Sequence, residues 1–219
     1  MTSSRNNAAI ATVVGGVVML LVMLVHPTGS DIVGDADGTR HTLALARWVH
    51  GVAIAALPLL LAGMASLSWR LRAKPELALG GFVSFALAAV AVMLAAIMSG
   101  FVATSLLDHL PAAGDPLRDA ALRQMRYTHM LNQAFSQVYV ALAGFAFVLW
   151  SFAMRGDRGF PAALRWFGVV AGLLPFVGVV VGHLKLEVQG FGFVVMLHAA
   201  WMMAAAWYAR STEAPTPSE

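Results

Sequence analysis

Six apolar stretches dominate this chain: Ala8–Val25, Leu43–Leu67, Leu77–Ala103, Tyr127–Met154, Ala162–Leu184 and Gly190–Ala209. About 20 apolar residues in a helix cross the roughly 30 Å of hydrocarbon in a bilayer. Hydrocarbon offers no partner to a peptide N–H or C=O, so each such span must satisfy its backbone internally. The chain therefore reads as an all-α, six-helix transmembrane bundle. Its composition agrees: 59% hydrophobic and 11% charged residues, with a mean hydropathy of +0.75. A soluble domain carries about 25% charged residues. Residues 1–210 are expected to form one transmembrane domain. Residues 211–219, a Pro/Ser/Thr/Glu-rich segment, are expected to form a disordered cytoplasmic tail. The first stretch is 18 residues long and runs into His26-Pro27-Thr28-Gly29 without a small-x-small cleavage site. A signal-peptide core is usually about 7–15 residues, so Ala8–Val25 reads as a retained span.

Loop charge sets the direction of the spans, because Lys and Arg stay on the cytoplasmic side. One face gathers eight bases, chiefly Arg70, Arg72 and Lys74 in the second loop and Arg155, Arg158 and Arg165 in the fourth, with four acids. The opposite face has six bases and seven acids. Both termini are therefore expected in the cytoplasm of a multi-pass protein of the bacterial inner (plasma) membrane. On that assignment all seven histidines fall in outer loops or in the outer halves of helices: His26, His41, His50, His109, His129, His183 and His198. Imidazole binds metals and titrates near neutral pH, so a one-sided histidine cluster points to a site.

Several function classes drop out. The net charge of +3 comes from residues in short interhelical loops, and no basic run is long enough to track a phosphate backbone, so no nucleic-acid partner is expected. There is no cysteine, which removes disulfides, thiolate metal sites and Cys nucleophiles. No haem-attachment, zincin, Gly-rich nucleotide or Ser-hydrolase motif is present. No catalytic residue is assigned, and whether the chain is an enzyme stays open.

The clearest intramembrane pattern is in the fourth span. His129, Asn132, Gln133, Ser136 and Val140 share one helical face, with Gln137 and Tyr139 at its edges. Such a face must turn to protein or to a wet cavity, since lipid cannot hydrogen-bond it. Counting about 1.5 Å per residue from the ends of the apolar stretches places His50 and His198 deep and His129 and His183 shallow. The candidate ligand-binding residues are thus His50, His129, Asn132 and Gln133, with Ser136, Gln137, His183 and His198. The candidate metal set is His50, His198 and Met202, the last one turn beyond His198. A His/Met pair suits copper. Two histidines on separate helices also suit axial ligation of haem iron, with Arg47, Arg126 or Lys185 near the rim for its propionates. The expected partner beyond the bilayer is a small ligand from the outer side.

Two other readings stay open. One is a transporter. Ala46-Arg47-Trp48 with Pro58 in the second span parallels Leu164-Arg165-Trp166 with Pro175 in the fifth, and Gly81-Phe82-Val83 parallels Gly192-Phe193-Val194. Those spans run in opposite directions, the form of a three-plus-three inverted repeat. Against transport, no Asp or Glu lies inside the six stretches to carry a proton. The other is a structural membrane protein with no small ligand. Small residues at Gly51-x-x-x-Ala55, Gly168-x-x-x-Gly172 and Gly178-x-x-x-Gly182 predict close helix packing in any case.

The motifs His26-Pro27-Thr28-Gly29, His50-Gly51, Asn132-Gln133-Ala134-Phe135 and Gly182-His183 with Gly190-Phe191-Gly192 run through the whole chain. With them the chain resembles a group of bacterial six-span inner-membrane proteins of unassigned function. The resemblance implies the six-span architecture and carries no activity.

Overall fold

The computed structural model describes residues 2–27, 36–111 and 114–211. These residues form an all-α bundle: α1 Thr2–Leu24, α2 Ala36–Arg70, α3 Pro75–Ile97, α4 Thr104–Asp108, α5 Arg118–Ala153, α6 Ala162–Val180 and α7 Val188–Ser211. A π-helical turn, Met98–Ala103, joins α3 to α4 and makes them one continuous span. Among the described residues six helices are long and apolar enough to cross a membrane. Asp31, Asp35 and residues 212–219 lie outside the described residues.

Helix boundaries follow the chain's punctuation. Pro75 opens α3, where its missing N–H is one that a first turn leaves unbonded anyway. Pro161, extended at φ −64° and ψ 151°, immediately precedes α6. Gly182 turns the chain after α6 at φ 76°, a conformation that suits glycine. Pro58 and Pro175 lie inside α2 and α6, as the apolar pattern implies. Residues 119–126 lie ahead of the fourth apolar stretch, yet they form the opening of the 36-residue α5. No Gly or Pro interrupts 118–126, and the Asp115 carboxylate accepts the Leu117 N–H at 2.8 Å just ahead of the first turn.

The helices pack most extensively as α3 on α5, α1 on α2, α5 on α6 and α1 on α7. Gly144 of α5 and Gly172 of α6 meet backbone to backbone: a Cβ on Gly144 would sit 2.5 Å from the Gly172 carbonyl oxygen. Thus Gly168-x-x-x-Gly172 is a packing motif, while Gly51 and Gly182 make no close approach. In a membrane such close backbone contact takes over from hydrophobic burial as a source of helix association.

The six tryptophans divide by environment. Trp150 and Trp201 are fully buried. Trp48, Trp69, Trp166 and Trp207 are exposed, and the last three lie near helix ends, where amphipathic rings sit at membrane interfaces.

The two ends of the bundle differ. We call the end with the α1 C-terminus and the α2 N-terminus the upper end. Near the lower end, Phe147 stacks on Trp201 at 4.5 Å between ring centroids, and Trp201 stacks on Trp150 at 6.0 Å. Met64, Leu67 and Met154 are buried in the same core. Each indole N–H has a partner: Trp150 donates to Ser68 Oγ at 2.8 Å and Trp201 to the Leu164 carbonyl at 3.1 Å. Below them Arg70 and Asp157 form a buried ion pair, with contacts of 2.7 and 3.2 Å. Lys74 donates to the Phe152 and Arg155 carbonyls, at the negative end of the α5 dipole.

Candidate functional site

The upper end holds a cavity of about 600 Å³ between α1, α2, α3, α5 and the 186–191 segment. Its polar lining includes His26, His50, His129, Asn132, Gln133 and Ser136. Ser99, Thr104 and Glu187 add to it, and much of the remaining wall is apolar, from Met19 and Met23 to Phe191.

Stagger of the helix ends explains why His26 reaches His50. Fourteen residues of α2 precede His50, about 20 Å of helix at 1.5 Å per residue. By contrast α1 stops at Leu24, two residues before His26. The end of α1 is thus recessed to the level of His50. The two imidazoles meet with Nε2 atoms 3.3 Å apart and rings 71° from parallel. Burial pushes the His26 imidazole below its ordinary pKa range, against the opposing effect of its bond to the Pro27 carbonyl.

The π-turn shapes the wall opposite His50. Such turns insert into helices often at functional sites. Gly100 sits in it, and a Cβ there would lie 2.3 Å from His50 Cβ. Only a glycine lets α3 approach α2 this closely. Next along, Thr104 donates its hydroxyl to the Gly100 carbonyl at 2.7 Å and accepts from Arg47 Nε at 3.1 Å. Arg47 continues to Asp108 at 3.0 Å, one turn of α2 above His50. The guanidinium expected at a haem rim is therefore already engaged by Thr104 and Asp108.

The polar stripe of α5 faces the cavity as far as Ser136. Asn132 Nδ2 donates to the Ala95 carbonyl at 2.9 Å and to Ser99 Oγ at 2.6 Å. Gln133 Nε2 donates to the Leu186 carbonyl at 3.0 Å, tying the 184–187 turn to α5. A carbonyl oxygen only accepts, so these bonds set which end of each amide is nitrogen. They leave Asn132 Oδ1 and Gln133 Oε1 without a partner among the described residues, and no hydrogen bond engages the His129 ring there. Among the described residues the lining has no Lys or Arg, and Glu187 is its one acid.

The remaining candidates stand apart from this cavity. Gln137 and His183 are exposed and do not line it. His198 is only 1% exposed and belongs to the dry core. Its ring touches Phe147 edge-on at 4.6 Å, Nδ1 pairs with the Tyr139 hydroxyl at 2.9 Å, and Nε2 faces the Ala171 carbonyl at 3.2 Å. Met202 is buried in the same core. The structure therefore gives His50 a different neighbour from the one the spacing suggests: His26, with His198 committed elsewhere. Lys185 and Glu187 form no ion pair with each other among the described residues. His26, Ser99, Thr104 and Glu187 line the cavity without being among the candidate ligand-binding residues; His26 entered the sequence reading only as a member of the one-sided histidine cluster and of the motif His26-Pro27-Thr28-Gly29. No protein-family model, curated protein or solved structure matches this chain.

Proposed function

We propose that this membrane protein binds a small cationic or donor-rich ligand in its upper cavity, from the outer face of a bacterial inner membrane. The observation that carries the reading is the polarity of the lining. Asn132, Gln133, His26 and His50 each turn a hydrogen-bond donor to a backbone carbonyl, at Ala95, Leu186, Pro27 and Ala46, and the second Asn132 N–H meets Ser99 Oγ. What these four side chains have left for a ligand is mainly acceptors, beside one N–H of Gln133, and among the described residues the single charge in the wall is that of Glu187. A mostly apolar cavity with a few convergent polar groups is the usual form of a small-molecule site. The basic loops of the lower end support the outward direction by the positive-inside rule. Binding fits better than passage, because the layer of Phe147, Trp150, Trp201 and His198 fills the bundle beneath the cavity.

Thermal unfolding of the purified protein in detergent, across a graded series of alkylammonium and divalent metal ions, tests this. A ligand present at about 100 times its Kd stabilises by about 2.7 kcal/mol. At least one cation should raise the Tm, and Ala96→Trp, which fills the cavity, should remove that rise while leaving the unliganded Tm near wild type. If no cation stabilises the wild type, or the rise persists in Ala96→Trp, the reading is wrong. Reporter fusions at residues 74, 114, 157 and 219 should read in, out, in and in; an inward signal at 114 reverses the direction.

A further inference from the structure

The contact between His26 and His50 has a chemical requirement. His26 Nδ1 lies 3.0 Å from the Pro27 carbonyl oxygen, and His50 Nδ1 lies 2.7 Å from the Ala46 carbonyl oxygen. Since each carbonyl can only accept, each Nδ1 must carry its ring's hydrogen. A neutral imidazole has one such hydrogen, so both Nε2 atoms are bare lone pairs. Yet those two atoms face each other at 3.3 Å. Two lone pairs at that distance repel each other, and a shared electrophile, a proton or a metal ion, turns the repulsion into attraction.

We propose that His26 and His50 bind a divalent late first-row transition-metal ion of the Zn²⁺ class through their Nε2 atoms, at the head of the cavity. Three features support this. Zn–N bonds of about 2.0–2.1 Å at a tetrahedral angle place two ligand nitrogens about 3.3–3.4 Å apart, which is the separation here. A metal-binding histidine typically gives its other N–H to a backbone carbonyl or carboxylate, which sets the tautomer and orients the ring, and both histidines do so. Imidazole is a favoured ligand of Zn, Cu, Fe and Ni, and no thiolate exists in this chain to compete. Among the described residues no group of three or more His, Asp or Glu comes together to enclose an ion. Among the described residues the pair borders the cavity, so positions left on the ion there go to water or to a polar group of a bound molecule, the arrangement of an open site. The inference rests on the acceptor-lined cavity as a ligand site and names its cation.

The test is Zn²⁺ titration of the purified full-length protein in detergent, carrying no polyhistidine tag, with Co²⁺ as an optical reporter of tetrahedral coordination. Wild type should show saturable Zn²⁺ binding. His26→Gln and His50→Gln should each weaken it by at least the ten- to hundredfold that loss of an outer-shell partner alone costs. His26 lies outside the helices, so His26→Gln reports even if His50→Gln does not fold. His183→Gln, at an exposed turn, should bind as wild type does. Affinity unchanged in His26→Gln, or reduced equally in His183→Gln, means an adventitious ion only and overturns the proposal. So does an absence of saturable binding in the wild type, which leaves a proton as the bridge. Should an alkylammonium ion still raise the Tm in that case, the cavity reading stands and the metal alone is lost.

Discussion

Each end of the bundle has an arginine paired with an aspartate, in very different settings. At the lower end Arg70 and Asp157 have side-chain exposures of 4% and 18%, and the Asp157 carboxylate also accepts the Gly159 N–H at 2.8 Å. At the upper end Arg47 and Asp108 are 39% and 42% exposed and share one contact. The same contrast runs through the surrounding residues. Below, the two buried indole N–H groups, of Trp150 and Trp201, are bonded, aromatic rings stack, and side chains such as Met64 and Trp150 are wholly buried. Above, polar side chains surround open space and keep acceptors that have no partner among the described residues. A group already satisfied by its neighbours has nothing left to offer a ligand. On the proposed reading the lower half stabilises the fold and the upper half holds the ligand.

The sharpest way to break this contrast is to remove its largest parts. Trp150→Ala empties a fully buried site in the stack and should cost about 3–5 kcal/mol. Arg70→Ala, which leaves Asp157 as an uncompensated partly buried charge, should cost about the same by breaking a buried pair. Arg47→Ala should leave the Tm unresolved from wild type, since exposed pairs contribute little. Thermal unfolding in one detergent compares all three. Equal losses for Arg70→Ala and Arg47→Ala would remove the distinction between the ends.

Next in size is Gly100→Ala. The added methyl meets His50 Cβ at 2.3 Å, and overpacking of this kind costs about 1–3 kcal/mol. Because it pushes on His50, it should also weaken Zn²⁺ binding, measured by the same titration. A variant destabilised to this extent but binding Zn²⁺ as wild type does would show that the π-turn shapes the helix without positioning His50. The smallest effect on stability belongs to Asn132→Leu. Interhelical hydrogen bonds in membrane proteins average about 0.6 kcal/mol, so its Tm should fall only slightly. Its loss of ligand-induced stabilisation should be complete. Normal ligand stabilisation in Asn132→Leu would show that the Asn132 amide only ties α5 to α3.

Much of this was readable along the chain. The six apolar stretches predict the six helices to within a few residues at most ends, because a membrane span must satisfy its own backbone and so announces itself by length and hydropathy. The face His129, Asn132, Gln133 and Ser136 was legible from helical periodicity, and all four residues line one cavity. Gly168 and Gly172 were legible as packing residues, although their partners, Ser151 and Trp201 for Gly168 and Gly144 for Gly172, were not.

What the sequence determined by itself, then, is the helix count, the segments that cross, and which face of α5 cannot meet lipid. All of these are local properties of a single helix in a uniform solvent. The tertiary structure alone decided which histidines meet. Counting depth from the ends of apolar stretches put His50 level with His198 and left His26 near the surface. The actual ends are staggered: α2 runs fourteen residues beyond His50 while α1 stops short of His26. Stagger and rotation come from packing between helices, from contacts such as Gly144 against Gly172 and Gly100 against His50, and no hydropathy pattern along one chain records them. Those same contacts turn His198 into the aromatic core and bring the His26 and His50 nitrogens together.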